Sequence, residues 1–197
     1  AITEIPASLL VIGSGYIGWG WRTAEPISAN MAKGGPLGGD TVYLATTEGE
    51  VYAFQTHEST EGDPQPAWRR HALSGVRRDL TVDGDDLGVV TDDNRLICYD
   101  RITGNTRWEA FPAPRETAAT PAVFTGPFAY FVRGGALCAF DRATGTPAWK
   151  VPGAKRVIAE RDDMVLLAGP DHTIMKVDGG TGEVTMTKRM PGVHFPS

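Results

Sequence analysis

Only two of the 197 residues are cysteine, Cys98 and Cys138, forty positions apart, so no vicinal cysteine pair exists. They stand two and three residues before Asp100 and Asp141. If those aspartates are equivalent, the thiols lie on opposite faces of neighbouring strands. A disulfide between them is not expected on that reading, and cysteine usage leaves the compartment open. No apolar run approaches the roughly twenty residues that cross a bilayer, so no membrane span is expected. Leu9 to Ile12 is far too short, and no charged-then-apolar leader opens the chain. The start at Ala1 suits a mature, processed or truncated product.

Basic charge is also lacking. Nineteen Lys and Arg against 24 Asp and Glu leave a net charge of −5, which excludes the concentrated basic face that a nucleic-acid binder needs. No stretch keeps a 3.6-residue apolar period for ten residues, which excludes a helical solenoid. The four histidines, His57, His71, His172 and His194, lack metal-ligand spacing. Gly-x-Ser-x-Gly is absent, and no Ser-His-Asp set assembles. Acid clusters stand at Asp83-Gly84-Asp85-Asp86 and Asp92-Asp93-Asn94; the first looks briefly like a calcium loop, but Asn94 stands where its bidentate glutamate belongs. Both clusters read as turns, which favour Asp, Asn and Gly. The basic groups Arg69-Arg70-Arg77-Arg78 and Lys155-Arg156-Arg161 read as solvated strand or loop faces.

What the chain does have is a repeat. Ala139, Asp141, Thr144, Gly145 and Trp149 spell Ala-x-Asp-x-x-Thr-Gly-x-x-x-Trp. Asp100, Thr103, Gly104 and Trp108 repeat it; Asp178, Thr181 and Gly182 repeat it again, with Met186 in the Trp place. A looser copy ends in Pro66-Ala67-Trp68-Arg69, where Gln55 replaces the aspartate and a polar insertion from His57 to Pro66 stretches the spacing. A period of about forty residues marks repeated small sheets.

Each unit reads as short strands between turn residues: Thr41–Thr46 and Val51–Phe54, Leu87–Thr91 and Leu96–Tyr99, Phe128–Val132 and Ala136–Phe140, Met164–Ala168 and Thr173–Val177. A further apolar segment precedes most of them, and a strand carrying the Trp follows. Four-stranded antiparallel units at this period are blades of a β-propeller. The fold class is therefore all-β, a small or partial propeller of four to five blades. Residues 40–197 carry the repeats. Residues 1–39 form a divergent segment belonging to the first blade. Within it, Gly13-Ser14-Gly15-Tyr16-Ile17-Gly18 has dinucleotide-turn spacing. Gly20 and Pro26 spoil the helix that such a turn opens, so a hairpin of Leu9–Ile12 with Tyr16–Trp21 is expected.

The repeated residues suit a girdle. The aspartate accepts backbone N–H groups of the following turn, the glycine supplies positive φ, and the Trp reaches the turn of the neighbouring blade. Asp100, Gly104, Trp108, Asp141, Gly145, Trp149, Asp178 and Gly182 are assigned to it. Catalytic, cofactor and metal residues: none.

The spacing from Ala139 to Trp149 and from Asp100 to Trp108 resembles the repeats of the pyrroloquinoline-quinone-like propellers. That superfamily includes quinoprotein alcohol dehydrogenases, BamB-type outer-membrane assembly lipoproteins and extracytoplasmic sensor domains. The resemblance covers roughly residues 40–190. It implies a non-catalytic binding or scaffold module in an extracytoplasmic compartment, periplasmic or secreted, with a protein partner and no cofactor. The loop containing His57 and Glu58 and the aromatic pair Trp19 and Trp21 are the candidate contacts. The alternative is a quinoprotein-like dehydrogenase, or a fragment of one, binding pyrroloquinoline quinone. The short ring leaves room for a homo-oligomer or larger complex that completes the propeller.

Overall fold

The computed structural model describes residues 8–13, 16–22, 27, 32–34, 41–55, 65–76, 79–111 and 120–190; before residue 41 the only side chain described is that of Ile27. Strands β1 (Ser8–Gly13) and β2 (Tyr16–Arg22) pair antiparallel as a hairpin. Four four-stranded antiparallel sheets follow. The first comprises β3 (Ala32–Gly34), β4 (Thr41–Ala45), β5 (Glu50–Gln55) and β6 (Trp68–His71). The second comprises β7 (Thr81–Asp83), β8 (Asp86–Val90), β9 (Leu96–Asp100) and β10 (Thr106–Ala110). The third comprises β11 (Val123–Thr125), β12 (Phe128–Arg133), β13 (Ala136–Asp141) and β14 (Pro147–Pro152). The fourth comprises β15 (Arg156–Arg161), β16 (Met164–Ala168), β17 (Thr173–Asp178) and β18 (Val184–Arg189).

In every sheet the strands lie in chain order, a plain meander. The turns explain it: Gly134 and Gly135, both at positive φ, close the β12–β13 hairpin in two residues, as a twisted hairpin requires. First strands β3, β7 and β11 lie side by side, and β15 packs on β12. Successive sheets therefore meet face to face as blades, and the Trp-bearing fourth strands lie at the far edge. This is a β-propeller. Strand β3 makes part of the divergent N-terminal segment an integral strand of the first blade.

The central strands are buried on both faces: β8 and β12 have five consecutive buried residues each, because each blade is sandwiched between two others. Three apolar layers result. Tyr43, Val51 and Trp68 meet Leu87, Ile97 and Tyr99; Leu96, Cys98 and Trp108 meet Phe131, Cys138 and Phe140; Tyr130, Leu137 and Trp149 meet Val165, Leu167 and Val177. Opposite faces of neighbouring blades are the faces that meet. Cys98 and Cys138 thus share one layer rather than being kept apart, and neither is in a disulfide. Gly88 is small for the same reason: a Cβ there would sit 2.3 Å from the Phe124 ring. On the outer side of the first blade Leu44, Tyr52 and Phe54 are buried against Ile27 and Val42.

Candidate functional site

The repeated turns are built alike in the last three blades. Asp141 Oδ1 accepts from the backbone N–H of Ala143 at 3.1 Å and of Thr144 at 2.8 Å, and from the Thr144 hydroxyl at 2.8 Å. Asp100 does the same with Ile102 and Thr103, and Asp178 with Gly180 and Thr181. These donors, the Thr hydroxyl first, hold the Asp141 and Asp178 carboxyls below the usual range. Arg107 adds a charge-assisted bond at 2.7 Å and takes Asp100 down to about 2.

Each Trp crosses to the next blade. The indole N–H of Trp68 donates to the Arg101 carbonyl at 2.9 Å, that of Trp108 to Arg142 at 2.8 Å, and that of Trp149 to Gly179 at 2.7 Å. The tryptophans pack against Gly104, Gly145 and Gly182, where a Cβ would come within 2.5–2.6 Å of the nearest Trp atom. Arg70, read from sequence as part of a solvated face, instead donates to the carbonyls of Gly104 at 2.7 Å and Thr103 at 3.0 Å in the next blade. Met186 is 46% exposed in the Trp place.

The acid cluster at 83–86 is more than a turn. Gly84 and Asp85 form the turn, but Asp86 opens β8 and is only 4% exposed. It accepts from Arg142 of the third blade at 2.6 Å and from Arg107 at 2.9 Å, while Arg142 also binds Asp83 at 2.6 Å. A cleft of about 380 Å³ opens beside this clasp, lined by Asp86, Arg107, Asp141 and Arg142. Asp86, Arg107 and Arg142 are already paired and Asp141 is taken up by its own turn, so it reads as a blade-to-blade lock. Among the described residues no group of three or more His, Cys, Asp or Glu is placed to hold a metal.

A second charged group organises the opposite rim, where chain passes from blade to blade. Arg95, 7% exposed, donates to Asp93 at 2.8 Å, to Glu109 at 3.2 Å and to the Ala72 carbonyl at 2.6 Å. Its guanidinium lies 6.0 Å from the Phe111 ring centre. One buried cation thus fixes two inter-blade connections, and each presents an apolar side chain to solvent: Leu73 is 79% exposed and Phe111 67%. Leu73 is held at φ 59°, a left-handed conformation costing a branched residue about 1–2 kcal/mol; the His71 imidazole accepts its N–H at 2.9 Å. Arg133 donates to the Phe111 carbonyl at 2.9 Å.

Of the contacts chosen from sequence, Trp19 and Trp21 lie in β2 but their side chains are outside the described ones, and His57 and Glu58 lie outside the described residues altogether. Leu73 and Phe111 were not singled out. The available signal was an apolar residue stranded among turn residues, in Ala72-Leu73-Ser74-Gly75 and before Pro112.

Residues 16–110 and 110–192 each match the family described as outer membrane protein assembly factor BamB. The chain belongs to that family. BamB of Bordetella pertussis (strain Tohama I) is 27% identical over 173 residues, 80% of this chain and 42% of that protein. The crystal structure of BamB from Moraxella catarrhalis is similar with a TM-score of 0.66, over 95% of this chain and 51% of that one, at 21% identity. Quinohemoprotein alcohol dehydrogenase ADHIIG from Pseudomonas putida HK5 shares the fold at a TM-score of 0.60 and 16% identity, over 84% of this chain and 34% of that one. The chain therefore spans about half the length of the two BamB relatives. No helix among the described residues is long and apolar enough to cross a membrane.

One half-buried acid in this BamB-family chain is tuned against ionisation. Glu160 lies between the third and fourth blades, where burial raises its carboxyl above the usual range and the Tyr130 and Thr125 hydroxyls pull the other way without overcoming it. A raised folded value means that stability is full below the unfolded value, about 4.3, and falls as pH rises through the folded one. Glu160→Gln is expected to melt higher than the parent at pH 7 and level with it at pH 4. Thermal melts at both values check this; a deficit at pH 7 contradicts it.

Proposed function

We propose that this chain is a protein-docking module of an outer-membrane protein assembly factor, working on the extracytoplasmic side and holding a protein partner rather than catalysing a reaction. The rim of Leu73 and Phe111 carries the reading. Two exposed apolar side chains flank one buried arginine, which bonds the carbonyl before Leu73 and lies against the Phe111 ring, and Leu73 sits in a strained conformation. Pre-ordered apolar anchors of this kind lose little entropy on binding, and backbone strain collects at sites of recognition. Family membership supports the assembly context.

The test is in-cell cross-linking from a photoreactive residue at position 73 or 111, with position 183 as control. The expected product joins this chain to another component of the outer-membrane assembly machinery, and Leu73→Asp with Phe111→Asp abolishes docking while leaving the circular dichroism spectrum unchanged. Cross-links that are equally frequent from position 183, or a double substitution without effect on docking, would overturn it.

A further inference from the structure

The first strand of a blade helps to fill the seam with the blade before it, and the seam between the third and fourth blades is filled differently from the one between the second and third. In β11, Phe124 pairs with Ala129, next to the pair that closes the hairpin, and its ring lies over Gly88 of the second blade. It also packs on Trp108 and is buried. Counted from its own hairpin, the corresponding residue of β15 is Glu160, paired with Val165. An acid thus replaces the apolar key, and it faces Tyr130, which stands third in β12 as Gly88 stands third in β8. Strand β15 also carries a bulge. Its register slips between Val157 and Ala159 and leaves Ile158 unpaired, whereas β3, β7 and β11 keep an unbroken register. A bulge bends its strand and re-aims the side chains beside it.

This seam holds a cavity of about 150 Å³. Val123, Tyr130, Leu137 and Val157 give it apolar walls, Lys155 and Arg156 stand where β15 begins, and none of its lining residues is acidic. Both walls belong to described blades, and Lys155 lies on the connection between β14 and β15, so the cavity is formed without any residue beyond the fourth blade. The backbone N–H of Lys155 donates to the Ala168 carbonyl at 2.7 Å, which fixes its place, while its ammonium pairs with no carboxylate among the described residues. The acid beside the cavity is Glu160, at the other end of β15. It faces the Tyr130 hydroxyl and rests on Gly126, where a Cβ would lie 2.5 Å from its carboxylate. Positive charge therefore stands at one end of the cavity and an acid beyond the other.

We propose that the seam between the third and fourth blades binds a small apolar monocarboxylate, an aromatic or branched-chain acid, with its carboxylate at the Lys155 end and its apolar body between Val123, Leu137 and Val157. The volume suits this class: a cavity of about 150 Å³ lined by apolar side chains takes one benzene ring. The charge suits it as well, because a ligand cation would meet Lys155 and Arg156, and a reversed anion would meet Glu160. Apolar walls with a few convergent polar groups are the usual make-up of a small-molecule site. This site is separate from the rim of Leu73 and Phe111 and does not rest on it.

The probe is benzoate, with benzamide as the uncharged control of the same size, titrated into the whole chain and followed by NMR. Benzoate is expected to bind with a dissociation constant on the order of 1 mM, reasonable for so few atoms, and its ring protons to give NOEs to the methyl groups of Val123, Leu137 and Val157. Lys155→Gln, an exposed and neutral change, is expected to weaken benzoate about threefold to fivefold, the worth of one exposed ion pair, and to leave benzamide unchanged. Raised salt should act in the same direction. Val123→Phe puts a ring into the cavity and is expected to abolish binding of both probes; because Val123 is 45% exposed, the melting temperature should hold. No benzoate binding at tens of millimolar, NOEs from elsewhere on the chain, benzamide binding as tightly as benzoate, or indifference of benzoate to Lys155→Gln would each overturn the proposal. Cross-linking from positions 73 and 111 is expected to be unchanged by benzoate, which keeps the two sites distinguishable.

Discussion

Trp108→Ala is expected to cost about 3–5 kcal/mol of unfolding free energy, the range for deleting a buried aromatic. Trp108 is 7% exposed, spans from the second blade to the third, and closes the Arg142 carbonyl with its N–H at 2.8 Å. Truncation removes the packing on Phe124, 6.4 Å away between ring centres, and leaves that carbonyl short of its donor. Gly145→Ala probes the same seat from the other side. It carries two penalties: φ of 71°, worth about 1–2 kcal/mol to a residue with a Cβ, and a Cβ placed 2.5 Å from the indole. Only the second depends on the Trp. The double variant Trp108→Ala with Gly145→Ala is therefore expected to cost less than the sum of the singles, by 0.5 kcal/mol or more as for residues in contact. Urea unfolding followed by circular dichroism measures all three. Additive costs would show that the indole is not seated on the glycine.

How much of this was legible from sequence depended on how local the cause is. The strand pairs Phe128–Val132 with Ala136–Phe140, and Met164–Ala168 with Thr173–Val177, were readable to within a residue of β12, β13, β16 and β17, because alternation and two-residue turns are written in consecutive residues. The propeller followed from the period. Contacts between blades were harder, since they join residues about forty positions apart and depend on which faces meet. Asp86 sits in a string of acids that any reader assigns to a turn, yet its partner Arg142 is 56 residues away. Arg95 falls between the turn at Asp92-Asp93-Asn94 and the strand Leu96–Tyr99 and drew no reading, and only the packing of two inter-blade connections makes it the support of Leu73 and Phe111. Cys98 and Cys138 show the same gap: the side each faces was inferable, whereas the fact that those sides adjoin was not.

The clasp at Asp86 yields the second large effect. Arg142→Met is expected to destabilise the chain by about 3 kcal/mol, the lower end for removing one partner of a buried ion pair, because Arg107 remains at 2.9 Å to share the stranded carboxylate. Asp86 is 4% exposed and cannot turn to water. Adding Asp86→Leu to Arg142→Met removes the unpaired charge together with its partner. That double variant is expected to recover much of the loss, as apolar replacements of buried pairs do. The acid limb separates this clasp from its neighbour at Asp100. With a folded value of about 2 against an unfolded value near 3.9, Asp100 contributes stability that is complete above pH 4 and is lost as pH falls toward 2. Arg107→Met removes the main cause of that depression and is expected to flatten the decline between pH 4 and 2, whereas Arg142→Met lowers stability at pH 7 and leaves the Arg107–Asp100 bond, and the part of the decline it causes, in place. Urea midpoints for the parent and both variants at pH 2.5, 4 and 7 decide it. Identical acid limbs in the parent and Arg107→Met would detach Asp100 from the arginine that holds its carboxylate.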